Sequence, residues 1–159
     1  MLINKRIKFP LISTLLTLLL ASPVFAKDGV LINLPDKNFA VISIGDLESE
    51  SIGSYSVAVF KDKDLTDFST GAIFSRDGSI FQDNGKPRVT FADIDGDGAK
   101  EMIVSKLSAG SGDYLEVDAL KITGKKISLL TRINTDSKGD LIKLLQAHCK
   151  KEHCAKQKH

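Results

Sequence analysis

The most constraining feature of the chain is a period-two alternation of apolar and polar residues, in short runs cut by glycine-bearing turns. Val30, Ile32 and Leu34 alternate with Leu31 and Asn33. In 38–44, Phe39, Val41 and Ser43 share one face and Ala40, Ile42 and Ile44 the other, the pattern of a central strand. Residues 54–60 alternate again, and 61–67 is charged and predicts a solvated loop. Runs 68–75 and 79–82 flank Arg76-Asp77-Gly78, a hairpin signal. Runs 89–92, 101–107, 114–121 and 126–133 predict four further strands. In 114–119, Leu115, Val117 and Ala119 face one way and Tyr114, Glu116 and Asp118 the other, which predicts one wet side for that sheet. Many short strands at close spacing indicate an all-β fold, an antiparallel β-sandwich. One short C-terminal helix is expected from residue 141 to about 148, with Ser137 and Asp140 in a capping relation before it.

Three segments are expected. Residues 1–26 read as an export signal: Lys5, Arg6 and Lys8 precede an apolar run, and small residues stand at Val24 and Ala26. Residues 27–140 form the β body, and 141–159 a basic tail holding Cys149, Cys154 and all three histidines. Removing the three leader cations takes the net charge from +2 to −1. Five lysines against one glutamate make the tail +4 and leave the body at −5. An acidic body argues against nucleic acid and for a basic partner or a cation. No later run is apolar enough for a membrane span, so the protein is expected to be soluble in the periplasm or outside the cell after cleavage. With no histidine in the body, Ser-His-Asp catalysis has no base, and the chain is not expected to be an enzyme. Two readings stay open for the tail cysteines: a local disulfide, or a zinc or copper site with His148 and His153.

Two loops flank the run Met102-Ile103-Val104. In Asp93-Ile94-Asp95-Gly96-Asp97-Gly98, alternate carboxylates followed by glycine suit a calcium loop, with Asp93, Asp95, Asp97 and Glu101 as candidate ligands. It resembles the loops of FG-GAP-type repeats more than an EF-hand, whose twelfth-position glutamate is here Val104. The plainer alternative is a tight acidic turn whose aspartates bond their own backbone. A calcium-dependent binding or adhesion module is the alternative function this loop carries. The second loop, Ser108-Ala109-Gly110-Ser111-Gly112-Asp113-Tyr114, is slim and polar, built either to enter a cleft or to serve as an ordinary hairpin connection.

Residues 54–120 resemble the periplasmic inhibitors of I-type (invertebrate-type) lysozyme. The resemblance is carried by Gly53-Ser54-Tyr55-Ser56-Val57, Arg76-Asp77-Gly78-Ser79-Ile80, the acidic loop, and the Ser-Gly-x-Tyr signature Ser111-Gly112-Asp113-Tyr114. The first strands and the Cys/His tail lie outside it. The resemblance implies a β-sandwich, commonly a homodimer, that inserts Ser111, Gly112, Asp113 and Tyr114 into the cleft of an I-type lysozyme and needs no cofactor. Lys125 and Lys126 are the candidate second loop beside it, offering a cation to the other catalytic carboxylate.

Overall fold

The computed structural model describes residues 29–35, 37–45, 48, 52–74, 80–107, 114–136 and 139–154. Two antiparallel meanders fill it. The first sheet runs in the order β1 (Val30–Asn33), β2 (Phe39–Ile44), β3 (Ile52–Lys61), β4 (Asp64–Phe74). The second runs β5 (Val89–Ala92), β6 (Glu101–Leu107), β7 (Tyr114–Thr123), β8 (Lys126–Asp136), followed by α1 (Leu141–Glu152). Sequential antiparallel pairing needs only short connections, which the glycine-bearing turns supply.

Alternation decides what each face buries. Ala40 and Ile42 of β2, Tyr55, Val57 and Val59 of β3 and Ile73 of β4 meet Met102, Val104, Leu120 and Ile127 of the second sheet in one core. The opposite face of the second sheet buries Ile103, Val117 and Ala119 against Leu145, Cys149 and Cys154. Covered by a sheet on one side and a helix on the other, β6 is buried along most of its length, its apolar run Met102-Ile103-Val104 completely so.

The wet side expected for 114–119 is wet only at its start. Tyr114 is exposed, but Glu116 is partly and Asp118 fully buried, because both project between the sheets onto Lys106 and Arg132. The charged run 61–67 is not a loop either. Lys61 pairs Asp64 across a two-residue turn whose Asp62 takes φ 57°, a left-handed conformation that aspartate tolerates, and β4 begins at once. Of the expected strand 79–82, the described residues 80–82 form only a single bridge, Phe81 to Pro87, while Ser79 and the expected turn Arg76-Asp77-Gly78 lie outside the described residues.

The helix extends past 148 to Glu152, where His153 at φ 57° closes it and donates its N–H to the Cys149 carbonyl. Its N-cap is Asp140, accepting from Lys143 N, rather than an acid three residues inside the helix; Ser137 lies outside the described residues. Cys149 and Cys154 are joined as a disulfide packed in the second core, so neither sulfur is a free thiolate for zinc or copper. Through Leu145, Cys149 and Cys154, the described part of the C-terminal segment packs on the second sheet.

One close approach is testable. A Cβ on Gly71 would stand 2.3 Å from Tyr55 Cε1, so only glycine lets that ring lie against β4. Gly71→Ala is expected to displace the ring and cost about 1–3 kcal/mol of stability, read as a lowered urea midpoint with altered near-UV dichroism.

Candidate functional site

The Gly/Ser loop joins β6 to β7. Its last ladder pair is Leu107 with Leu115, and Tyr114 pairs Asp136 of β8. Ser111, Gly112 and Asp113 lie outside the described residues; Tyr114 is described, stands at the root of the loop and is 61% exposed.

Beneath this root sits a buried charge network. Lys106, one register step below Leu107, donates to Glu116, to Asp118 Oδ2 at 2.8 Å and to the Ala72 carbonyl at 3.3 Å. Arg132 reaches Asp118 through Nε (2.5 Å) and Nη2 (3.1 Å), and Tyr55 Oη donates to the same carboxylate at 2.5 Å. The Lys106 ammonium also lies 5.4 Å from the Tyr55 ring centroid. Burial pushes the Asp118 carboxyl up, but the bonds from Arg132, Lys106 and Tyr55 outweigh it and hold it below the usual range. Burial, reinforced by Asp118, raises the Tyr55 phenol far above its ordinary value and keeps it a donor. The two sheets are thus tied together directly under the β6–β7 hairpin. Tyr55, Lys106 and Arg132 were not singled out from sequence. The usable signal was a lysine at an inward position of an apolar strand, matched across the register by Glu116 and Asp118.

The acidic loop lies at the other end of β6. Asp93 accepts from Gly96 N (2.7 Å) and Gly98 N (3.0 Å), Asp95 from Asp97 N (3.2 Å) and Asp97 from Ala99 N (2.8 Å). Gly96 and Gly98 take φ 80° and 88°, which only glycine adopts without strain. The Lys121 ammonium bridges Asp95 and Asp97, both at 2.5 Å. Desolvation opposes its charge, but the two carboxylates prevail and raise its pKa, while Asp97 is lowered first by its bond from Lys121. Glu101, only 1% exposed, accepts from Ile94 N at 2.8 Å through Oε2, and burial raises its carboxyl. Oxygens of Asp93, Asp95 and Glu101 lie within 4.8 Å of one another. Asp97 is not in that group; it faces Lys121 instead.

Lys125 and Lys126 do not lie near Tyr114. They form the β7–β8 turn at the far end of the ten-residue β7, about 30 Å away at a strand rise near 3.3 Å per residue.

A family model described as periplasmic lysozyme inhibitor of I-type lysozyme matches residues 26–149. The chain belongs to this family. The match includes the first strands and most of α1, so the likeness is not confined to 54–120. The crystal structure of the periplasmic inhibitor of I-type lysozyme from Aeromonas hydrophila is similar at TM-score 0.59 and 27% identity, covering 74% of this chain and 98% of that one. The Aeromonas hydrophila inhibitor in complex with Meretrix lusoria lysozyme is similar at TM-score 0.59 and 25% identity, covering 74% and 94%. Comparison with curated protein sequences gives no match. The protein is a periplasmic lysozyme inhibitor and not an enzyme. Among the described residues no helix is long and apolar enough to cross a membrane.

Proposed function

We propose that the protein stops I-type lysozyme by placing residues 108–114 in the catalytic cleft. Glycoside hydrolysis there needs two carboxyl groups flanking the scissile bond. In this reading the Ser111 hydroxyl bonds the catalytic acid, Gly112 lets the tip descend, Asp113 completes the turn and Tyr114 lies along the cleft wall. The supporting observation is the hairpin's foundation: a five-residue polar network centred on buried Lys106 and Asp118 holds its root, with an exposed tyrosine just above. Fixing the root before contact reduces the ordering cost of binding. The related inhibitor captured with Meretrix lusoria lysozyme supports the same class of partner. A turbidity assay with I-, c- and g-type enzymes tests it. Lysis by the I-type enzyme is expected to slow most; an I-type enzyme left untouched contradicts the reading.

The plug needs no cofactor. The alternative, a calcium-dependent binding module, is favoured only by the acidic loop, which sits at the opposite end of β6. Chelation is therefore expected to leave inhibition unchanged, and loss of inhibition in chelator would favour the alternative.

Export and pairing belong to the same proposal. Cleavage after Ala26 gives a mature N-terminus at Lys27, which sequencing of the periplasmic protein checks. For a homodimer, the surface that fits is the outer face of the first sheet. There Leu31, Val41, Ala58 and Phe68 align in one row across four strands, with Leu31 59% and Phe68 64% exposed. Light scattering distinguishes one copy from two.

A further inference from the structure

We propose that Asp93, Asp95 and Glu101 form a calcium site, from which the ion displaces the Lys121 ammonium. Acidic residues in a turn do not by themselves make a site; the argument rests on Glu101. The residue is 1% exposed, its Oε2 is used by Ile94 N, and its Oε1 has no hydrogen-bond donor among the described residues. A carboxylate oxygen buried without a partner is costly, and one of this residue's oxygens lies within 4.8 Å of oxygens from both Asp93 and Asp95. A cation at that point supplies the missing partner.

The spacing along the chain points to the ion. From Asp93 as the first position, Asp95 is third, Asp97 fifth, Ala99 seventh and Glu101 ninth, the positions from which a looped calcium site draws its oxygens. Magnesium, which demands near-octahedral geometry and gives up its waters reluctantly, suits such a loop less well. The bonds from Gly96 N and Gly98 N hold Asp93 in place and leave each oxygen a second lone pair for metal. Lys121 supplies a positive charge to Asp95 and Asp97, and it is this ammonium that the ion must displace from Asp95. A cavity of about 470 Å³ between the loop and α1 is lined by Asp93 and Asp95 together with Gln146, Lys150 and His153, so two of the three carboxylates are reached from it. Gln146 of α1 donates to the Asp93 carbonyl at 2.8 Å, so an ion that stiffens the loop also stiffens the seat of the helix.

Calorimetric titration and thermal unfolding of the mature protein with calcium chloride test this. Binding is expected in the range of about 10⁻⁴–10⁻³ M with a rise in Tm, and magnesium is expected to do little. Asp95→Asn and Glu101→Gln are each expected to weaken binding at least about tenfold, and Lys121→Met to tighten it by about the same factor, since it removes a competing charge. Should Glu101→Gln fail to fold, Asp95→Asn carries the test. No heat and no Tm shift in the wild type at about 10 mM calcium overturns the site, as does binding that survives both ligand substitutions. Unchanged affinity in Lys121→Met overturns the displacement.

Discussion

Ser111→Ala combined with Tyr114→Ala is expected to weaken inhibition of I-type lysozyme by about a hundredfold or more. Tyrosine is among the residues that most often carry an interface, and a truncated anchor commonly costs about 2 kcal/mol. A hydroxyl bonded to a catalytic carboxyl inside a closed cleft contributes a further ~1.5–3 kcal/mol, because the carboxyl left behind is desolvated and unpaired. Tyr114 is exposed in the free protein, so its removal should leave the urea midpoint in place while the inhibition constant rises. The contrast is Lys125→Ala with Lys126→Ala. That turn stands at the other end of β7, and inhibition is expected to be unaffected. An equal loss from the lysine pair would move the contact surface to the acidic-loop end of the sandwich.

The second large effect lies under the finger. Asp118→Ala is expected to destabilise the fold by about 3–5 kcal/mol, because it strands the buried Lys106 ammonium and the Tyr55 hydroxyl together. Lys106→Met with Asp118→Leu should recover much of that loss, since a buried ion pair replaced by packed apolar residues is often close to neutral. Tyr55→Phe removes one bond to a charged acceptor and should cost about 1.5–3 kcal/mol. The pH dependence has a fixed sign. Asp118's carboxyl is lower in the folded state than in the unfolded chain, so the folded state binds fewer protons. Its contribution is fully present above the unfolded value near ~3.9 and is lost as pH falls further, through the folded value. Tyr55 works at the opposite extreme. Its raised phenol contributes fully below about pH 10 and loses that contribution as alkali takes the pH higher. Urea midpoints across pH for wild type and Tyr55→Phe separate the two limbs.

Much of this architecture was legible because β structure writes itself into alternation. The stretches 30–34, 38–44, 54–60, 89–92, 101–107, 114–121 and 126–133 each contain or overlap a strand, and the apolar residues on both faces of 38–44 put β2 inside its sheet. Alternation reports polarity, however, and not which polar face is covered. Glu116 and Asp118 read as solvated because a carboxylate ordinarily is. Only the register, which sets Lys106 beside Glu116 and Arg132 beside Asp118, shows that they neutralise one another between sheets. The 61–67 run misled for a related reason: four charges in a row look like a loop, yet a two-residue hairpin turn holds the middle two while the outer two, Lys61 and Asp64, pair across it. Closeness in sequence to the end of β7 suggested Lys125 and Lys126 as neighbours of the Gly/Ser loop, yet it places them one strand length from Tyr114 at its beginning. The acidic loop's carboxylates were visible directly, and of the four candidates Asp93, Asp95 and Glu101 converge while Asp97 does not. What the loop withheld was Lys121, a residue 20 or more positions away that answers two of its charges.

Competition for the cleft is the most direct test of the finger. The exported protein is titrated onto an immobilised I-type lysozyme with and without a saturating, non-hydrolysed fragment of the glycan substrate. A loop that fills the catalytic groove excludes the glycan, so apparent affinity should fall in proportion to glycan occupancy. Undiminished binding, with inhibitor and glycan held on one lysozyme at once, would place the contact elsewhere and contradict the account.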